Sequence, residues 1–227
     1  MTGNKIEVSC AGMLFDMDGV LLDSTHAVAR VWHQWAIEHG FNPEEVVRAA
    51  HGRPSISTIR DYLPGSDCEA ENREVERREL ADLEGIVPWP GAIKLLRSLP
   101  PERWAIVTSC TRPLAEVRLR AGELPRPKVF VSSDDIEHGK PAPDAYLKGA
   151  QSLGLNPTEL IVVEDVPAGV RSGKAAGCGV IALRTTMPEA DLRVAGADWI
   201  VKDCSAIVMD DQNSANQNLN LILDLAK

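Results

Sequence analysis

Two acidic pairs stand at positions where chemistry is easily built. Asp16 and Asp18 lie in the segment DMDG, directly after the apolar run 11–15, and Glu164 and Asp165 directly follow the apolar run 160–163. In an open α/β sheet, ligands gather beyond the carboxyl ends of the strands. Two carboxylates so close together repel each other unless a cation or a proton lies between them. If the two runs are neighbouring strands, three or four carboxyl groups converge. Oxygen-only ligation of that kind suits Mg2+. Thr108 and Ser109 close a third run, 104–107, just before a helix begun near Arg112 and Pro113. Hydroxyls and free backbone N–H groups at a helix start form a phosphate cradle. Lys140, in the Gly/Pro-rich loop HGKPAPD, supplies an ammonium. A nucleophile, an acid–base group, a metal and donors around the phosphoryl oxygens are what phosphoryl transfer requires.

Each feature alone has an ordinary explanation. Asp-Gly is a common turn, Thr-Ser after a strand is a usual helix cap, and Gly-Lys-Pro is a usual loop. An acidic pair after a strand also suits the positive end of a helix. The joint arrangement, with all four at strand ends in one chain, is what points to a site.

The elements that must position these residues are legible as short apolar runs. Runs 11–15, 104–107, 129–131, 160–163 and 179–183 each have the length of a strand covered on both faces. Helix-compatible segments 113–121, 143–153 and 168–176 lie between several of them. Strands alternating with helices predict an α/β domain with a mostly parallel, Rossmann-like sheet. Segment 24–88 breaks the rhythm and shows no convincing strand. Val28, Val31, Trp32 and Trp35 mark an amphipathic helix in it, with the tryptophans read as core of the insert rather than as a sugar platform. Segment 69–83 carries opposite charges at Glu69/Arg73 and Glu74/Arg78, which reads as a solvated helix face. The expected division is therefore a core of residues 1–23 and 89–227 with a helical insert of residues 24–88. Two crossings of one hinge, near Asp23 and Pro88, would let the insert move as a lid. Segment 212–220 reads as a loop, and 219–225 fits either a last strand or a short helix.

Composition narrows the partners. The 227 residues carry 24 Lys plus Arg against 33 Asp plus Glu, a formal charge of -9, which disfavours nucleic acid and anionic membrane. No apolar run approaches the roughly 20 residues of a membrane span, and the opening residues lack an apolar signal core. Five widely spaced cysteines without a C-x-x-C motif argue against a disulfide framework or zinc site and fit a reducing cytoplasm. A monomer or weak dimer is expected.

The four motifs together resemble the haloacid dehalogenase superfamily of phosphatases, in the branch with a helical cap inserted after the first motif. The likeness spans residues 11–202. The phrases HGRPSIST, GKPAPDAYLKGA and EDVPAGVRSGKAAG are most similar to sugar- and polyol-phosphate phosphatases of the glycerol-3-phosphatase and 2-deoxyglucose-6-phosphatase type. The resemblance implies that Asp16 is a nucleophile forming an aspartyl-phosphate. It implies that Asp18 protonates the leaving alkoxide and then activates water. Thr108 and Ser109 would hold the phosphoryl group, and Lys140 would neutralise it and restrain Asp16. Glu164 and Asp165 would hold Mg2+ together with Asp16 and the main-chain carbonyl of Asp18. Dehalogenating members lack an acid at the second position, so Asp18 favours phosphoryl chemistry. His51, Gly52 and Arg53 resemble the substrate-specificity loop of capped relatives, while His26 and Arg30 are either cleft-facing or solvated. Thr108 stands where Ser is usual, and Cys110 nearby is either redox-sensitive or a packed neighbour. The implied partner is a small-molecule phosphate ester. A phosphoglucomutase of the same superfamily, which passes the phosphoryl group to a second sugar hydroxyl, is the alternative.

Overall fold

A computed structural model of the chain describes residues 5–210 and 218–225. Most of the loop expected over 212–220 lies outside the described residues. The chain begins with strands β1 (Lys5–Cys10), β2 (Gly12–Phe15) and β3 (Leu22–Asp23). Four helices follow: α1 (Thr25–Glu38), α2 (Pro43–Ala50), α3 (Ser55–Tyr62) and α4 (Cys68–Ala81). Strand β4 (Val87–Pro88) then pairs antiparallel with β3, so the chain leaves and rejoins at adjacent points. This two-residue strand at the end of the insert is too short to register as an apolar run.

From there helices and strands alternate. They are α5 (Ala92–Ser98), β5 (Trp104–Val107), α6 (Arg112–Ala121), β6 (Val129–Val131), α7 (Asp144–Leu153), β7 (Leu160–Glu164), α8 (Pro167–Ala175), β8 (Gly179–Leu183), α9 (Glu189–Val194) and β9 (Trp199–Val201). Six strands form one sheet in the order β6-β5-β2-β7-β8-β9, and every pairing is parallel. All four residues of β2 are buried because helices cover both faces of the sheet. Met13 and Phe15 pack into one cluster with Ile106 and Val163, and Leu14 faces the other with Val107 and Val162. Since β2 is the first strand of this sheet and lies inside it, the chain reverses its direction of winding beside β2. That is where a crevice opens at the carboxyl ends of the strands.

Two further strands, β10 (Ile207–Met209) and β11 (Leu219–Asp224), form a separate antiparallel sheet with β1 in the order β1-β11-β10. The ambiguous C-terminal segment is thus a strand, with Leu219, Leu221 and Leu223 buried in the larger cluster. Its partner β1 was not anticipated.

The insert helices have a hydrophobic cluster of their own, built on Val31, Trp32, Trp35, Val46, Ile59 and Val75. Trp35 is fully buried, edge-on to Trp32 at 5.4 Å and stacked near Phe41 at 5.9 Å. Asn42 caps α2 through Glu44 N–H, and Asp67 caps α4 through Ala70 N–H, each at 3.0 Å. The Glu74–Arg78 pair forms at 2.7 Å, whereas Glu69 pairs with Arg60 at 3.2 Å instead of Arg73. Among the described residues no helix is long and apolar enough to cross a membrane. Trp35→Ala should cost about 3–5 kcal/mol, because it empties the largest buried volume of a small cluster. Urea unfolding of the variant beside wild type measures this, and a loss below about 1 kcal/mol would show that the tryptophan does not hold the insert together.

Candidate active site

Strands β2, β5 and β7 are neighbours, so their carboxyl ends bring Asp16, Thr108, Glu164 and Asp165 together. Oxygen atoms of Asp16, Glu164 and Asp165 lie within 4.8 Å of one another, and all three residues are buried. Lys140 reaches into this group from the loop before α7. Its Nζ lies 2.9 Å from Asp16 Oδ1 and 2.6 Å from Glu164 Oε1. Ser172 on α8 holds the loop by donating to the carbonyl of Ala142 at 2.6 Å.

Three carboxylates around one ammonium leave an excess of negative charge among buried side chains. Burial raises the pKa of Asp16 to about 7, against the opposing charge of Lys140 and with the help of Glu164. Burial, with the charges of Glu164 and Asp16, pushes Asp165 well above the carboxylate range. Lys140 shifts the other way. Burial disfavours its charge, but Asp16 and Glu164 outweigh burial and keep it protonated.

The two residues of the second acidic pair are not equivalent. Both oxygens of Glu164 are engaged: Oε1 by Lys140 and by the Tyr146 hydroxyl at 2.6 Å, and Oε2 by the Asp165 N–H at 3.0 Å. Asp165 keeps a buried Oδ1 that has no hydrogen-bond partner, while Thr186 donates to its Oδ2. A buried orphan oxygen beside Asp16 is a site for a hard cation. The residues present therefore fit a divalent ion.

The Asp18 side chain lies outside the cluster. It accepts from Ser24 Oγ at 2.6 Å and from Cys110 Sγ at 3.1 Å, and it pairs with Arg118 Nη1 at 3.1 Å. Burial works against its charge, yet Arg118 and these hydrogen bonds hold its carboxyl below the usual range. Cys110 is thus a packed neighbour, wedged between Asp18 and Arg118, whose Nη1 approaches its sulfur at 3.2 Å.

Thr108 is buried, with its hydroxyl accepting from the Cys110 N–H at 3.2 Å, and Ser109 follows it at the mouth of the site. Both line a cavity of about 310 Å³ with Asp16 and Asp18. The insert supplies the opposite wall, and His51, Gly52 and Arg53 belong to it. Gly52 has φ +68, and a Cβ there would meet Val166 at 2.7 Å, so only glycine lets this loop touch the core. Gly19 is under the same constraint: φ is +81 and a Cβ would fall 1.9 Å from Asp165 Oδ2. Burial lowers the pKa of His51, and Arg53 pairs with Asp61 at 2.9 Å. His26 is exposed and absent from the cavity lining, and Arg30 is turned to Asp82 at 2.6 Å; Thr25 and Val28 line the cavity from the same helix.

Several site residues escaped the sequence reading: Tyr146, Thr186, Arg118, Ser24 and the α4 residues Asn72, Glu76 and Glu79. Thr186 lies three residues beyond β8, whereas Thr108 directly follows β5, so an apolar run that ends at Leu183 does not single it out. Tyr146 and Arg118 sit inside helical patterns, where a buried polar side chain looks like any other helix position.

Comparison with known proteins agrees with this geometry. The family model of haloacid dehalogenase-like hydrolases matches residues 11–177, and the chain belongs to that family. Hexitol phosphatase A of Escherichia coli is 46% identical over 208 residues, covering 89% of this chain and 95% of that protein. Glycerol-1-phosphate phosphohydrolase 1 of Saccharomyces cerevisiae is 32% identical, covering 99% and 94%. Among solved structures, a family IA, variant 3 hydrolase of Entamoeba histolytica superimposes with a TM-score of 0.76 at 26% identity, covering 87% of this chain and 95% of that one.

The raised carboxyls carry a consequence for stability. Between the ordinary carboxylate range and about pH 7 the folded chain holds a proton on Asp16 that the unfolded chain has lost. Folding stability of chelator-treated protein must therefore fall as pH rises through that window. The expected result is a melting temperature that drops from pH 5 to pH 7 more steeply in wild type than in Asp165→Asn, by roughly several degrees. Equal slopes in the two proteins would contradict the shared-charge description.

Proposed function

We propose that the chain is a Mg2+-dependent phosphatase of small phosphomonoesters, namely sugar or polyol phosphates, that works through an aspartyl-phosphate on Asp16. The observation that carries this reading is Lys140 held between Asp16 and Glu164, beside an Asp165 oxygen with no partner. The names of the two relatives, a hexitol phosphatase and a glycerol-1-phosphate phosphohydrolase, support the substrate class. Residues 24–88 act as a cap domain on a core of residues 1–23 and 89–227.

Asp16, Asp165 and the main-chain carbonyl of Asp18 hold the cation. Glu164, whose oxygens are already engaged, contributes at one remove by fixing Lys140. When bound, Mg2+ offsets the repulsion between a carboxylate nucleophile and an anionic ester. Asp16 attacks phosphorus through a carboxylate oxygen, and the ester oxygen leaves with a proton from Asp18. Lys140, the Thr108 hydroxyl and the Ser109 backbone hold the transferring oxygens. Water then attacks the aspartyl-phosphate while Asp18 takes its proton, which returns Asp16 and releases phosphate. The contacts from Ser24, Cys110 and Arg118 favour the charged form of Asp18 needed in this second step, so the proton it passes to the ester oxygen in the first step is one it takes from the substrate monoanion. His51, Gly52 and Arg53 close over the leaving group from the cap.

Asp16→Asn should lower kcat by on the order of 10³-fold or more. EDTA should abolish phosphate release, and added Mg2+ should restore it. Activity that survives either treatment would defeat the mechanism. The mutase reading makes a different prediction: glucose 6-phosphate and glucose 1-phosphate interconvert without stoichiometric phosphate release.

A further inference from the structure

Helix α4 carries Asn72, Glu76 and Glu79 at spacings of four and three residues, which puts them on one helix face. All three line the cavity whose other wall holds Asp16 and Thr108. Its volume, about 310 Å³, is at the small end for ligand sites and suits a single small metabolite.

The polar groups on this wall are oriented by the protein. Asn72 Oδ1 accepts from Ser55 Oγ at 2.6 Å, which leaves the amide hydrogens to donate. The Thr111 hydroxyl donates to Glu76 Oε1, and Glu79 Oε1 lies 3.5 Å from Arg118 Nη2. The Arg118 side chain is only 4% exposed, and its buried Nε–H has no acceptor. The wall thus sets an amide donor beside two carboxyl groups.

Its charge balance is the discriminating feature. Carboxylates outnumber guanidinium groups around the cavity, and each guanidinium is already paired: Arg53 with Asp61, Arg60 with Glu69, and Arg118 with both Asp18 and Glu79. A hydroxyl can donate to a glutamate and accept from an amide or guanidinium. A carboxylate or a second phosphate offers acceptors alone and would meet like charge with no free cation.

We propose that the α4 face of Asn72, Glu76 and Glu79 is the specificity wall of this cavity, selecting a neutral polyhydroxyl leaving group and rejecting one that bears a second anionic group. The inference rests on the phosphatase reading and narrows it. It also counts against the mutase alternative, because a sugar bisphosphate that turns round in the site must lay its second phosphate on this wall.

The test compares matched esters that differ only at the far terminal carbon, a primary alcohol in one and a carboxylate in the other: glucitol 6-phosphate against gluconate 6-phosphate, and glycerol 1-phosphate against 3-phosphoglycerate. Wild type should favour the neutral member of the better-used pair by more than about ten-fold in kcat/KM. Glu76→Gln should reduce that ratio by more than about three-fold, and Asn72→Asp should increase it. A wild-type ratio below ten overturns the specificity wall and needs no variant. So does a ratio that stays within three-fold of wild type in Glu76→Gln protein with a native circular dichroism spectrum. Efficient turnover of neutral and anionic esters alike sinks the wall alone. No turnover of any of the four esters sinks the phosphatase reading and the wall with it.

Discussion

Three carboxyl groups share one ammonium at the buried floor of the cavity. Asp16, Glu164 and Asp165 crowd together at the carboxyl ends of two adjacent parallel strands, and Lys140 is the one cation among them. Such a group is not neutral, and a low-dielectric interior makes an unbalanced charge costly. The imbalance has two remedies: protons, which raise the carboxyl pKa values, or a divalent cation at the unpartnered Asp165 oxygen. The choice between them links pH, metal and stability, and under the proposed mechanism Asp16 works as a nucleophile only when the cation is present.

The fold exists around this cluster. The parallel sheet brings β2 next to β7, and the reversal of winding beside β2 opens the crevice. Close approach is permitted by Gly19, where any side chain would strike Asp165. Tyr146 from α7 and Ser172 from α8 lock Glu164 and the Lys140 loop from behind. On the other side, Arg118 joins Asp18 to Glu79 of α4, so Asp18 and the cavity wall share one buried guanidinium.

Much of this was legible in the residues themselves, for physical reasons. A strand covered on both faces must be continuously apolar, so 104–107 and 179–183 coincide with β5 and β8, and 160–163 falls one residue short of β7. Acids and hydroxyls that end such runs project from the sheet edge, which is why Asp16, Thr108, Glu164 and Asp165 were found. Lys140 was found through its loop. The antiparallel sheet was missed because β1 is half-exposed, and its pairing with β11 joins opposite ends of the chain. Only that pairing decides that 219–224 is a strand. Arg118 and Tyr146 were missed because their partners come from other elements, and helical periodicity says nothing about which buried polar groups meet. The sequence could not show that the Asp18 carboxylate is turned to Arg118, nor that Glu164 is engaged by Lys140 and Tyr146.

The most direct test is a crystal of the protein grown with Mn2+ as a stand-in for Mg2+, with anomalous difference density used to locate the ion. The account requires one strong peak between Asp16 and Asp165, with Lys140 still on Asp16 and Glu164 outside the coordination sphere. Full-occupancy manganese elsewhere, or no peak here at millimolar metal, would contradict it.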